Sequence, residues 1–136
     1  MKTRAPLTML IVTAIVFLVY TAATHAKGVE KKVVFKPGSM SQVIDGCVIR
    51  GDRDTYTVNA REKQFMSILI SSVENNAVFY IMDSTTGKTL KGAEEETEAK
   101  RWQGYLPSSG DYRVIVGGTR GNADYILKIE IRNPAK

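Results

Sequence analysis

The side chains of this sequence that could take part in catalysis or in metal binding are mainly carboxylates. Asp52 and Asp54 stand close together, and Glu94 to Glu96 form a second acidic cluster. Asp52 and Asp54, with Asp45 as a third candidate ligand, could bind calcium, whereas the glutamate cluster is typical of a solvated loop. A pair of carboxylates could also act as a general acid and base. A serine nucleophile needs a base such as histidine, and the sole histidine is His25. Because no spacing singles out two facing carboxylates, the sequence predicts a protein that is not an enzyme and has no catalytic residues.

The histidine belongs to an N-terminal segment with the layout of a secretory signal peptide. Lys2 and Arg4 precede an apolar stretch from Leu10 to Tyr20, and small residues then lead to Ala26. This stretch is shorter than the roughly 20 residues of a membrane-spanning helix, although a retained anchor is the alternative. We therefore predict cleavage after Ala26, a periplasmic or secreted protein, and no stable membrane insertion after cleavage.

The predicted mature chain, residues 27–136, has a length typical of a single domain. Its one cysteine, Cys47, excludes an internal disulfide, and its apolar neighbours predict a buried thiol, with an intermolecular disulfide as the alternative. Loss of Lys2 and Arg4 lowers the formal net charge from +5 to +3. Such a mild and scattered charge argues against nucleic-acid binding. We also expect the protein to be a monomer.

Apolar and polar residues alternate along most of the mature chain, which is typical of half-buried β-strands. In the clearest case Tyr125, Leu127, Ile129 and Ile131 share one face of a strand. Turn residues separate this strand from further expected strands at 32–35, 42–49, 54–58, 64–71, 77–82, 101–106 and 111–116. About eight short strands predict an all-β fold, an antiparallel β-sandwich of jelly-roll type.

Three short motifs have a simpler explanation as turns. Arg50-Gly51-Asp52 spells an integrin-binding tripeptide, but it falls where a strand ends and a turn begins. Ser84 to Thr89 imitates a phosphate-binding loop, yet position 82, which should be glycine, is Met82. Asp52 and Asp54 could ligate calcium, although aspartates also terminate strands and cap turns. Calcium is thus kept as an alternative, and no other cofactor is expected.

The stretch from Asp45 to Val58 resembles the bacterial pre-peptidase C-terminal domain, in which a Gly-Asp-x-Asp turn separates two strands. Residues 102–112 and 120–125 resemble the same domain. A single-domain, exported version is similar to the periplasmic inhibitors of g-type lysozyme, through Asp54 to Tyr56 and Leu106 to Gly110. The resemblance implies a β-sandwich that acts by binding a protein.

In those inhibitors, loops at one end of the sandwich enter the lysozyme cleft and engage its catalytic carboxylate. The matching positions are Asp52 and Arg53 in one loop and Arg120 in another, and we expect both loops at the same end. A guanidinium group can bind a carboxylate through two hydrogen bonds. The alternatives are that both arginines are ordinary surface residues, or that the protein binds matrix, peptidoglycan or carbohydrate, with or without calcium.

Overall fold

In the computed structural model, which describes residues 28–136, the chain forms two stacked β-sheets. The strands are β1 Glu30–Lys32, β2 Ser41–Val48, β3 Asp54–Ala60, β4 Phe65–Ser72, β5 Ala77–Asp83, β6 Lys88–Thr89, β7 Arg101–Tyr105, β8 Gly110–Gly118 and β9 Ala123–Arg132. A short 3-10 helix spans Glu95–Thr97. No helix within 28–136 is long and apolar enough to span a membrane. The predicted signal peptide lies outside the described residues.

One sheet has the strand order β1-β3-β8-β5-β6 and the other the order β2-β9-β4-β7. Neighbouring strands are antiparallel except β1, which runs parallel to β3. The predicted all-β sandwich is therefore confirmed. The strand count differs slightly from the expected eight, because β6 is a two-residue strand that sequence periodicity cannot reveal.

Strand β9 illustrates how the alternating pattern builds the core. Its odd-numbered residues from Tyr125 to Ile131 are buried between the sheets, whereas Ile126 and Lys128 face outward. The opposing sheet contributes large, fully buried side chains that include Phe79, Ile81 and Tyr112. Burial of each such side chain stabilises the fold by about 1.5–3 kcal/mol, so the core between the sheets holds them together.

Cys47 is exposed, and the prediction that its thiol is buried is wrong. Strand β2 lies at the edge of its sheet, and its side chains alternate between the core and the outer face. Val48 points into the core, while Cys47 lies on the outer face with Val43, which is 56% exposed. Apolar neighbours on both sides of the cysteine suggested burial, but only those at alternate positions reach the core.

A buried hydrogen-bonded group of Asp54, Tyr125 and Tyr56 joins the two sheets. The Tyr125 hydroxyl on β9 donates to Oδ2 of Asp54 on β3 at 2.6 Å. The Tyr56 hydroxyl lies 2.6 Å from the Tyr125 oxygen and donates to it, because the proton of Tyr125 is already shared with Asp54. Oδ1 of Asp54 accepts the Val29 amide at 2.8 Å. Each polar atom of the group therefore has a partner, as buried polar atoms require.

The environment of Tyr125 keeps its hydroxyl protonated. Burial raises the pKa of Tyr125, and the hydrogen bond that it donates to Asp54 raises this pKa further. Gly46 lies opposite Tyr125 in the β2–β9 register, and a Cβ at Gly46 would overlap the Tyr125 ring. The glycine on β2 therefore makes room for the tyrosine that bridges the sheets.

Replacement of Tyr125 by phenylalanine should destabilise the protein by about 1–3 kcal/mol, because Asp54 and Tyr56 would lose a buried partner. Urea unfolding measures this difference. Tyr105, which is 69% exposed, offers the matched control, and Tyr105→Phe should change the stability by less than about 0.5 kcal/mol. Equal stabilities for Tyr125→Phe and wild type would mean that the bridge contributes nothing.

A second buried carboxylate, Asp83, lies at the end of β5. Its Oδ2 accepts the Ser108 hydroxyl at 2.7 Å, and its Oδ1 accepts the Thr85 amide at 2.9 Å. Tyr112 donates to the Ser108 carbonyl oxygen at 2.6 Å and holds the β7–β8 turn in place. Desolvation alone would raise the pKa of Asp83, but the hydrogen bonds to its ionised form outweigh desolvation and lower that pKa.

Because its pKa is lower in the native state than in the unfolded state, Asp83 stabilises the fold above about pH 4, and this contribution is lost as the pH falls through the native pKa. Asp83→Asn should therefore lower the free energy of unfolding at neutral pH. It should also reduce the change of that free energy with pH in the acid range. Urea unfolding at several values between about pH 2 and pH 6 tests this. The exposed control Glu62→Gln should retain the wild-type dependence, and an unchanged slope in Asp83→Asn would contradict the assignment.

Candidate functional site

Three loops meet at one end of the sandwich, which we call the loop end. They are the β2–β3 loop (49–53), the β4–β5 loop (73–76) and the β8–β9 loop (119–122). Val48 at the end of β2 pairs with Ala123 at the start of β9, so the β2–β3 and β8–β9 loops lie at the same end of two neighbouring strands. The Arg50 amide also donates to Oδ1 of Asn122 at 2.8 Å. The structure thus places the loops that carry Arg53 and Arg120 side by side.

Asn76 organises the β8–β9 loop from a buried position. Its Nδ2 donates to the carbonyl oxygens of Arg120 at 3.0 Å and Asn122 at 2.9 Å. Its own carbonyl oxygen accepts the Thr119 amide at 2.8 Å, and its amide donates to the Ser72 hydroxyl at 3.0 Å. The sequence shows Asn76 only as one of two adjacent asparagines in a turn. The loop carbonyl oxygens that its side chain binds lie 44 and 46 residues further along the chain.

Arg53 lies over the outer face of the five-stranded sheet. Its side chain crosses Gly117, where a Cβ would come within 2.8 Å of Nη1 of Arg53. Nη2 is 3.6 Å from Oε1 of Glu95, and Nη1 donates to the Asp52 carbonyl oxygen at 3.1 Å. The Arg53 and Glu95 side chains are 45% and 63% exposed, and such an ion pair contributes about 0–1 kcal/mol. A competing carboxylate could therefore replace Glu95 at little cost.

Arg120 leans in a different direction from Arg53. Its Nη2 donates to the Glu74 carbonyl oxygen at 2.9 Å, which ties the β8–β9 loop to the β4–β5 loop. A guanidinium has five N–H donors, so this bond leaves most of them for a ligand. The structure therefore brings the two loops together but directs their arginines toward different neighbours.

Asp52 and Asp54, the candidate calcium ligands, occupy unlike environments. Asp52 is half-buried in the β2–β3 loop, whereas Asp54 is buried and both of its carboxylate oxygens already accept hydrogen bonds. Calcium at Asp54 would have to displace Tyr125 or Val29. Within the described range, no three His, Cys, Asp or Glu residues group together in a way that could hold a metal ion. Calcium binding stays a prediction that this geometry does not favour.

Two further cationic residues lie at the loop end, and neither was among the site residues predicted from the sequence. Arg50 is exposed at the end of β2, next to Asn122. Lys100 precedes β7, and its Nζ donates to the Asn75 carbonyl oxygen in the β4–β5 loop at 2.9 Å. The turn explanation of Arg50 is compatible with its position, but a turn motif cannot show which other loops surround it. No local signal in the sequence places Lys100 here.

The fold is similar to that of the pre-peptidase C-terminal domain. That domain of collagenase from Bacillus anthracis superposes with a TM-score of 0.56 at 16% identity, over 76% of this chain and 96% of that one. At this identity the likeness concerns the fold alone.

Higher similarity is found to PliG, a periplasmic lysozyme inhibitor of g-type lysozyme. PliG from Aeromonas hydrophila has a TM-score of 0.68 and 25% identity, over 79% of this chain and 100% of that one. PliG from Salmonella Typhimurium has a TM-score of 0.63 and 25% identity, over 77% and 99%. The resemblance predicted from the sequence is therefore confirmed. No protein-family model and no curated protein sequence matches this chain.

Replacement of Asn76 by alanine should loosen the β8–β9 loop, because the carbonyl oxygens of Arg120 and Asn122 would lose their common donor. We expect faster amide hydrogen exchange in residues 119–122 and a loss of about 1–2 kcal/mol in stability. The exposed Asn59, whose Nδ2 donates to Asp111 at 2.8 Å, is the control, and Asn59→Ala should leave the loop unchanged. Wild-type exchange in Asn76→Ala would show that the loop holds its shape without this residue.

Proposed function

We propose that this protein is an exported, non-enzymatic binding protein that inhibits a g-type lysozyme through its loop end. The observation that carries the proposal is the similarity to Aeromonas hydrophila PliG, which extends over the whole of that inhibitor. We further propose that removal of residues 1–26 yields a monomer that acts in the periplasm, which is where PliG is located.

The chemistry of glycoside hydrolysis suggests what the arginines would bind. Glycosidases cleave their substrates with carboxyl groups, and a guanidinium can bind a carboxylate through two parallel hydrogen bonds. Arg53 would exchange its weak, exposed pairing with Glu95 for a carboxylate of the lysozyme cleft. Arg120 would use the donors that its bond to Glu74 leaves available.

Asp52 has a different role in this proposal, because an aspartate cannot donate to a carboxylate. Its carbonyl oxygen accepts Nη1 of Arg53 at 3.1 Å, so it orients the guanidinium on its own loop. Asn76 and the contact between Arg50 and Asn122 hold the neighbouring loop. Loops that are ordered before binding lose less conformational entropy when a partner docks, which strengthens association.

The alternative of a matrix-, peptidoglycan- or carbohydrate-binding module has weaker support. It rests on the likeness to the collagenase domain, which concerns the fold alone. We therefore give priority to the lysozyme hypothesis.

The test measures lysis of peptidoglycan-bearing cells by purified g-type, c-type and i-type lysozymes in the presence of the mature protein. We expect slower lysis by the g-type enzyme at micromolar inhibitor. Unchanged lysis by all three enzymes would reject the proposed function.

Variants then test the site. Arg53→Ala and Arg120→Ala should each raise the concentration needed for half-inhibition about tenfold, which corresponds to about 1.4 kcal/mol of binding free energy. Arg61 is an exposed arginine in the β3–β4 turn, away from the loop end, and Arg61→Ala should inhibit like wild type. Full inhibition by both loop-end variants would remove Arg53 and Arg120 from the site while leaving the inhibitory function intact.

A further inference from the structure

Strand β2 forms one edge of the four-stranded sheet, and β9 covers only one of its two sides. The Ile131 amide of β9 donates to the Met40 carbonyl oxygen at 2.9 Å, in register with the β2–β9 pairs. Because hydrogen bonds alternate along an antiparallel pair, even-numbered residues of β2 bond to β9 and odd-numbered residues direct their backbone groups away from it. The amides and carbonyl oxygens of Val43, Asp45 and Cys47 therefore lie on the open edge, without a backbone partner among the described residues.

The other edge strands of the described sandwich are shorter, and each carries a basic residue. β1 has three residues, two of them lysines, and β6 has two residues, one of them a lysine. β7 has five residues and begins with Arg101. In contrast, β2 has eight residues and contains no lysine, arginine or proline. Short length, lysine and proline are the features that protect a sheet edge against the addition of another chain, so β2 is open to such addition.

A groove of about 290 Å³ runs beside this edge, between β2 and the segment that contains β1. Its lining is largely aliphatic and includes Val33, Val34, Val43 and Ile44. Val34 and Val43 are 72% and 56% exposed. A strand that pairs with β2 directs every second side chain toward the same face, so it can place apolar side chains in this groove. The edge therefore offers backbone hydrogen bonds together with an apolar pocket.

The same groove is positively charged. Lys31 pairs with Tyr56 in the β1–β3 register, so its side chain lies on the inward face of the sheet at the rim of the groove. Lys32 also lines the groove. Neither lysine forms an ion pair within residues 28–136, and the described lining residues include no carboxylate. Two ammonium groups are thus available to an acidic partner.

We propose that β2 is the docking site for an extended, acidic segment of another protein, which adds to the four-stranded sheet as a fifth strand. Backbone hydrogen bonds to Val43, Asp45 and Cys47 provide affinity, as in other cases of strand addition. Selectivity comes from the side chains on the face toward the groove, where apolar residues meet the valines and a carboxylate meets Lys31 or Lys32.

A second copy of this chain fits the edge less well than an acidic segment does. Antiparallel pairing of two β2 strands would bring the lysines beside each groove, Lys31 and Lys32, close to those of the other copy, and like charges oppose association. Docking at β2 does not require inhibition of lysozyme, because it uses the sheet edge and not the arginines of the loop end.

The experiment uses the mature protein and two short peptides. The first is acetyl-Ser-Thr-Val-Thr-Val-Thr-Glu-Thr-amide, whose valines and glutamate share one face of an extended strand. The second has lysine in place of the glutamate. Each peptide is titrated to about 1 mM, which detects weak binding. The readout is amide hydrogen exchange followed by NMR.

We expect the glutamate peptide to slow hydrogen exchange at Val43, Asp45 and Cys47, because their amides gain a partner on the open edge. Gln103 provides the control, since its amide faces the open edge of β7 in the same way. Exchange at Gln103 should stay unchanged, and the lysine peptide should bind more weakly than the glutamate peptide.

Charge reversal then tests the groove. The double variant Lys31→Glu with Lys32→Glu should bind the glutamate peptide about tenfold more weakly and the lysine peptide more tightly. Exposed lysines at the far edge of the five-stranded sheet give the matched control, and Lys88→Glu with Lys91→Glu should bind both peptides like wild type. Thermal unfolding checks that each variant is folded.

Unchanged exchange at Val43, Asp45 and Cys47 with the glutamate peptide would overturn the inference. Equal binding of the two peptides would overturn the acidic character of the partner. If exchange at these amides slows with rising protein concentration alone, a second copy occupies the edge and the proposed occupant is wrong. Lysozyme inhibition is measured separately, so each of these results leaves the proposed function standing.

Discussion

The hydrogen bond between Tyr125 and Asp54 is the interaction on which the loop end depends. It links β9 to β3 across the two sheets, directly below the loops, and Asp54 also binds the backbone of Val29. In the low dielectric of the interior such a bond is strong, and an unpaired carboxylate would be costly. The bridge therefore favours one alignment of the sheets, and Gly46 provides the space that this alignment needs.

The loop end combines buried residues that hold the loops in place with weak contacts at the surface. Below the surface, Asp54 and Asn76 are buried, and both carboxylate oxygens of Asp54 and the Nδ2 of Asn76 are hydrogen-bonded. At the surface, Arg53 has an exposed ion pair, and Arg120 has a single hydrogen bond to a backbone carbonyl. This arrangement is compatible with the proposed recognition of acidic groups on a partner, because the loops are held from below while the guanidinium groups have only weak contacts at the surface.

The sequence predicted the positions of the strands better than it predicted the surroundings of individual side chains. The strand over Tyr125 to Ile131 was readable because one strand face is buried, which imposes a period of two. The prediction failed at Cys47, because apolar neighbours on both sides suggested burial although they lie on alternate faces of an edge strand. Asp54 was considered as a calcium ligand beside a turn, yet it is a buried acceptor for Tyr125, a residue 71 positions away.

By itself, the sequence determined the all-β class and most strand positions, because these follow from local residue patterns. It also carried the resemblance to lysozyme inhibitors, through which Arg53 and Arg120 became candidate site residues. Only the tertiary structure decided which loops share an end, that Asn76 supports the loop of Arg120, that Lys100 contacts the β4–β5 loop and that Gly28 lies against Arg53. Those facts depend on strand order and register. Both are set by contacts between residues far apart in the chain, which no short segment encodes.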